Sequence, residues 1–298
     1  MEPRVVVVRR HSAYEELLRV HCTHGQAAFF LRSRDQDIDD VVAQHQVQAR
    51  AEATVLQAIP AAWRRTGLLR SDLDRFLFEP DDIVVAVGQD GLVANVAKYL
   101  QGQPVLGINP DPSRYDGVLV PHAPGAAARL LQRVARGETP LEARTMVEAR
   151  CDDGQRLLAL NEVFIGHRSH QSARYVIRHG ERSERHSSSG LIVSTGTGST
   201  GWAHSIHRCH RSRLQLPAPT DPRLAFFVRE AFPSRATACA LTEGLVGRRG
   251  ALGVRSEMND GGVVFGDGIE DDRIEFGWGR QLVVRRADRS LNLVQAVS

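Results

Sequence analysis

Residues 83–87 read IVVAV and run directly into GQDG at 88–91. Five consecutive apolar residues do not alternate, so a strand built from them must be buried on both faces. That is expected of a parallel strand with cover on each side. The following residues supply the rest of the unit. Leu92 to Leu100 have helical spacing, PVLGI at 104–108 is a second strand, and NPDP at 109–112 is a polar turn. Strand, loop, helix, strand is a βαβ unit, which makes the N-terminal part an open, Rossmann-like α/β sheet. Val5 to Val8 are expected to add a strand. Residues 38–62 are expected to add a helix with Val41, Val42, Val47, Val55, Leu56 and Ile59 inward and Pro60 near its end.

Beyond about Pro124 the texture changes. Residues 125–136 suit one helix, and then short, alternating apolar runs follow at 146–149, 157–160, 175–177, 262–265 and 282–285. Turn residues separate them, as in a β-rich second domain. The expected division is 1–123 for the α/β domain and 124–298 for the β-rich domain, with 214–222 as a Pro-containing linker. A chain of 298 residues has enough length for two such cores.

Several function classes find little support. No apolar run reaches membrane-spanning length, and the first residues lack the apolar core of a secretory signal, so a cytoplasmic protein is expected. A net charge of +3 without a basic stripe gives no sign of nucleic-acid binding. The one lysine, Lys98, is followed by Tyr99, which excludes a GxxxxGK[ST] phosphate loop, and it lacks a V-A-I-K context. Cys22, Cys151, Cys209 and Cys239 are scattered and read as reduced thiols. His204, His207, Cys209 and His210 would turn about a helix axis without converging on one ion, so no metal-ligating set is expected.

Four short segments can carry chemistry. Asp90 sits in a glycine-flanked turn at the end of a buried strand, where open α/β sheets place their ligands. Gly88 and Gly91 allow close backbone approach, the helix start can face an anion, and the carboxylate can accept a proton or cap the helix. Asn161 and Glu162 combine an amide with a carboxylate, which suit a base edge and ribose hydroxyls, although a plain strand start has the same look. TGTGSTGW at 195–202 follows the apolar run Leu191-Ile192-Val193. Its glycines allow tight turning, and Thr195, Thr197, Ser199 and Thr200 offer hydroxyls that fit a sugar, a phosphate or a base. A Ser/Thr-rich surface loop fits the same composition. Gly266-Asp267-Gly268 is most simply a hairpin turn.

In this order, GQDG at 88–91, GIN at 107–109, NE at 161–162 and TGTGSTGW at 195–202 resemble the NAD kinase family, within the superfamily of diacylglycerol-type kinases. The match extends over more than half of the chain. NPDP at 109–112, NEVFIG at 161–166 and the Ser-Ser-Gly ahead of residue 191 are most similar to the mitochondrial-type branch, which suggests a bacterial relative of it. The resemblance implies an α/β N-terminal domain and a β-rich C-terminal domain. It implies transfer of a phosphoryl group from ATP, with magnesium, to the adenosine ribose 2′-hydroxyl of NAD or NADH, giving NADP(H). Asp90 would be the catalytic base. Gly88, Gly91, Asn109, Asn161, Glu162, Thr195, Thr197, Ser199, Thr200, Gly201, Trp202 and Ser205 would line the nucleotide sites. A homodimer or higher homo-oligomer is implied as well. Three positions depart from the common family pattern. Gln89 replaces a glycine, Leu92 stands where threonine is usual, and Ser189 replaces the aspartate of common bacterial members, as it does in the mitochondrial type. If position 89 needs a positive φ, a side chain there costs roughly 1–2 kcal/mol. The alternatives are a nucleotide-binding homologue without kinase activity and a lipid kinase of the same superfamily.

Overall fold

The valines at 5–8 and the IVVAV run form adjacent strands in the computed structural model, which describes residues 2–295. In chain order the first elements are β1 (Arg4–Arg9), α1 (Ala13–His21), α2 (His24–Arg32), α3 (Ile38–Ala58), β2 (Arg64–Leu69), β3 (Ile83–Val87), α4 (Asp90–Ala97), β4 (Pro104–Ile108) and α5 (Ala127–Ala135). The second set comprises β5 (Leu141–Cys151), β6 (Arg156–Ala159), β7 (Glu162–His167), β8 (Ala173–His179), β9 (Arg182–Ser188), β10 (Leu191–Ser194), α6 (Trp202–Cys209), β11 (Leu224–Val228), β12 (Glu243–Val246), β13 (Leu252–Ser256), β14 (Gly262–Gly266), β15 (Ile269–Glu275) and β16 (Gln281–Val294). Packing groups the described residues into two units, one of 2–142 with 292–295 and one of 143–291.

In the first unit the strands run parallel in the order β2-β1-β3-β4. Asn292 and Leu293 at the end of β16 add a parallel partner to β4. Every residue of β3 is buried, as its unbroken apolar run requires. Helix α3 covers the sheet through Ala51 and Val55, which with Ile59 just past its end join a core with Val85, Leu106 and Leu130. Val41, Val42 and Val47 are half-buried, whereas Leu56, expected inward, is exposed. The inner stripe follows the four-residue steps 51, 55 and 59, and Leu56 lies about 100° off it. The helix ends at Ala58, with Ile59 extended ahead of Pro60. Helix α4 begins at Asp90, two residues earlier than its apolar spacing suggests, and stops at Ala97. A short 3-10 turn, Pro124–Ala126, precedes α5.

The second unit is β-rich. One sheet has the antiparallel order β12-β11-β10-β7-β14-β15. In another, β9, β8, β13 and β16 are antiparallel neighbours, with β5 beside β16 and β6 beside β5. Alternate residues of β10 serve two cores. Leu191 and Val193 pack with Tyr175, Phe226 and Val254, while Ile192 packs with Phe164, Phe227 and Ala203 of α6. Among the described residues no helix is long and apolar enough to cross a membrane.

Residues 214–222 hold no helix or strand but are not a linker between domains. Pro217 is buried, and the Ala218 carbonyl lies so close to Gly196 that a Cβ there would overlap its oxygen. A Cβ at Gly198 would likewise meet the Asn161 carbonyl, whereas Gly201 has only the Gly198 carbonyl at 3.7 Å. None of these three glycines has a positive φ. Gly196 and Gly198 are therefore demanded by the approach of the protein's own backbone. Gly196→Ala is expected to lower unfolding free energy by about 3 kcal/mol in urea titrations.

Candidate functional site

In the first unit the candidate residues gather where β3 ends. Gly88 donates its amide to Ile108 of β4, and Gln89 is the first capping residue of α4. Because Asp90 is already inside the helix, its side chain does not cap it. The carboxylate instead reaches across and accepts the amides of Val118 at 3.1 Å and Leu119 at 2.8 Å. That segment crosses directly over Gly107, where a Cβ would overlap the Leu119 carbonyl. The GIN glycine and Asp90 thus fix the same strand of backbone. The opening amides of α4 have no carbonyl one turn back within the helix, so they can face an anion.

Gln89 is relaxed. Its φ of −93° and ψ of 168° are extended backbone open to any residue, so the strain considered for a non-glycine here does not arise. Its side-chain oxygen accepts a hydrogen bond from Arg10 Nη2 at 3.1 Å. Leu92 is buried, and its methyl would lie 3.1 Å from a Cβ at Gly88, so this position contributes packing in place of a hydroxyl. Gly91 has open space around it. Asn109, expected at a nucleotide site, is buried with its amide engaged. Nδ2 donates to the Tyr115 carbonyl at 2.7 Å, and Oδ1 accepts the Asp111 amide at 3.0 Å. It builds the NPDP turn.

In the second unit, Asn161, Glu162 and the 195–202 segment are brought together. The amide of Thr195 donates to the Asn161 carbonyl at 2.9 Å, and the Thr195 hydroxyl donates to the Leu160 carbonyl at 2.6 Å. The same hydroxyl accepts the amides of Thr197 and Gly198. Thr195 is fully buried, so its oxygen organises the turn. Ser199 returns its hydroxyl to the Thr195 carbonyl, and Thr200, exposed, returns its own to Thr197. Thr197 differs, for its hydroxyl is buried without a hydrogen-bond partner. Gly201 and Ser205 are exposed at the start of α6. Trp202 stacks on Phe164 at 5.8 Å between ring centres, with the Arg229 guanidinium 5.1 Å from its own centre. The histidines of α6 form no metal cluster among the described residues, and His207 Nε2 is 2.9 Å from the Leu214 carbonyl.

Asp267 turns out to be more than a turn residue. Both Asp267 and Gly268 have positive φ, at 53° and 69°, as a two-residue hairpin between β14 and β15 requires. The Asp267 carboxylate also accepts the amides of Leu160 at 2.9 Å and Asn161 at 2.6 Å. Sequence reading had a signal for the turn but none for this grip, which joins residues 106 positions apart. The Arg10–Gln89 contact and the Arg229–Trp202 contact were equally hidden.

Glu162 is buried, and desolvation, reinforced by the charge of Asp267, pushes its carboxyl up to about 7. A buried carboxyl that titrates near neutrality can donate or accept a proton toward a hydroxyl-bearing ligand.

The geometry defines a two-unit α/β and β protein with a glycine-flanked acidic turn in one unit and a hydroxyl-rich loop beside a buried glutamate in the other. No protein-family model matches the chain. Its sequence is similar to NAD kinases. It is 33% identical over 129 residues to the NAD kinase of Methanospirillum hungatei, and 33% identical over 135 residues to that of Gemmatimonas aurantiaca. These matches take in 42% of this chain and 46% of each relative, so they span less than half of either relative's length. Rat mitochondrial NAD kinase 2 is 26% identical over 78% of this chain and 74% of its own. The fold is that of solved NAD and NADH kinases. Yeast NADH kinase, solved with NADH, superposes with a TM-score of 0.65 at 12% identity, covering 100% of this chain and 84% of its own. An NAD kinase from Archaeoglobus fulgidus, solved with ATP, gives 0.59 at 19% identity, covering 98% and 93%.

The raised Glu162 carboxyl has a consequence for stability. The folded state holds a proton there that the unfolded chain releases near pH 4.5, so the contribution is intact below that pH and lost as pH rises through about 7. Glu162→Gln is expected to match the wild type near pH 4.5 and to be more stable by roughly 3 kcal/mol at pH 8. Urea unfolding at the two pH values measures this.

Proposed function

We propose that this protein phosphorylates the adenosine ribose 2′-hydroxyl of NAD or NADH with ATP, giving NADP or NADPH. The observation that carries the reading is the GQDG turn at the end of β3, with Asp90 at the head of α4 and no side chain capping that helix's opening amides. The similarity to rat mitochondrial NAD kinase 2, over 78% of this chain, supports it.

In this reading the amides of residues 89–91 receive the donor's phosphate oxygens. Asp90 accepts the proton of the ribose hydroxyl as its oxygen bonds to the γ-phosphorus, the bond to the bridging oxygen breaks, and ADP leaves. The amides of Val118 and Leu119 hold the Asp90 carboxylate in one orientation for that transfer. Asn161 and Glu162 offer an amide and a carboxyl to NAD, and Thr197, Thr200, Gly201, Trp202 and Ser205 form the adenosine side. Thr195, Ser199 and Asn109 support the loops from behind, consistent with their internal hydrogen bonds. Asp111, in the recess beside Gln89, offers hard carboxylate oxygen that suits magnesium alongside the donor's phosphates. When bound, the ion neutralises charge on the transferred group. A homodimer or higher homo-oligomer, working in the cytoplasm, belongs to the same proposal.

Relaxed backbone at Gln89 removes strain as a reason to favour an inactive, nucleotide-binding homologue. Purified protein with NAD, ATP and magnesium is expected to form NADP, and Asp90→Asn to slow it by about 10²–10⁴-fold while leaving NAD binding in place. Absence of NADP from both NAD and NADH, with any donor, would overturn the proposal.

A further inference from the structure

The chain after β1 continues as Arg10, His11 and Ser12, and these residues meet the GQDG turn in a recess of about 110 Å³. A recess of that size has room for a phosphate group. Its lining is rich in cations and imidazoles, with Arg10, Arg114, His11 and His45 against a single carboxylate, Asp111. At the floor, the Ser12 hydroxyl lies 2.8 Å from His45 Nδ1 and accepts the Glu15 amide, which locks the start of α1 in a capping box. Behind it, Arg9 pairs with Glu15 at 3.1 Å and with Glu52 at 3.6 Å, so both of those acids are turned toward Arg9.

Across the mouth, Arg10 donates to the Gln89 side-chain oxygen. A glycine at position 89 would leave Arg10 with nothing to hold it. Glutamine accepts one guanidinium N–H and keeps its own NH₂ as a donor, so the pair presents several N–H groups to an incoming anion. Arginine is also suited to binding phosphate through two parallel hydrogen bonds.

We propose that Arg10, held by Gln89, contacts the terminal phosphates of the phosphoryl donor and determines which phosphate chain the site accepts. This rests on the GQDG turn being the donor loop. Gln89 is then a specificity element, and Arg10 the residue it positions. The chemistry recognised is a chain of condensed phosphates, whether carried by a nucleoside or inorganic.

Calorimetric titration without NAD tests the pair independently of catalysis. The probes are inorganic triphosphate and a non-hydrolysable ATP analogue, each with magnesium, applied to the wild type, Arg10→Ala, Gln89→Gly and the double variant. Arg10 is exposed, so these variants should fold. Arg10→Ala is expected to weaken binding by about tenfold or more, and Gln89→Gly by about threefold to tenfold. The double variant should be no worse than Arg10→Ala alone, because Gln89 acts through Arg10. Loss with both probes, or with triphosphate alone, supports the proposal, and the second pattern identifies an inorganic donor. Unchanged affinity, additive losses, loss confined to the ATP analogue, or no binding of either probe by the wild type would overturn it. If the wild type binds as expected but forms no NADP, the phosphate contact stands and the kinase reading fails.

Discussion

Among the described residues a carboxylate that accepts two consecutive backbone amides recurs three times, and the loops at the candidate sites depend on it. Asp90 holds Val118 and Leu119, Asp267 holds Leu160 and Asn161, and Glu184 holds Ala240 and Leu241. Backbone in an irregular segment has no ladder or helix to satisfy its N–H groups, and an unpaired buried one is costly. A charged acceptor satisfies two at once with bonds stronger than neutral ones. It also fixes a loop from a distant point in the sequence. In two of the three cases the segment so fixed lies in or beside a candidate ligand site.

This arrangement accounts for the behaviour of the hydroxyl-rich loop. Its composition suggested a set of ligand-facing hydroxyls and flexible glycines. Instead, Thr195 and Ser199 close the turn on itself, and Gly196 and Gly198 admit neighbouring carbonyls. The groups left to meet a ligand are the orphaned Thr197 hydroxyl, the exposed Thr200 and the exposed start of α6. A loop that must present a few groups accurately needs most of its polar atoms to hold it still.

The parts legible in the sequence were those with a local physical signature. The unbroken run at 83–87 required a doubly covered strand, and the Asp-Gly pair at 267–268 required a tight hairpin. The inward stripe of α3 was legible except at Leu56, where an apolar residue faces water. Long-range contacts had no such signature. Nothing near position 90 names Val118, nothing near 267 names Leu160, and nothing at 89 names Arg10. Gln89 shows the limit most clearly. Its identity raised a question of strain that only its backbone angles could answer, and the answer shifted attention to its side chain.

The last strand carries a different kind of consequence. Leu293 lies beside Val105 in β4, and the His122 imidazole donates to the carbonyl of Val294, with burial pushing that imidazole below its usual pKa. The first unit therefore borrows an edge from residues that leave the ribosome almost two hundred positions after β4. During synthesis β4 waits with one side uncovered while the whole β-rich unit is made. A nascent chain stalled before residue 292 would expose that bare edge to any neighbouring strand, so Asn292 and Leu293 act as the seal on a sheet whose other strands are made long before them.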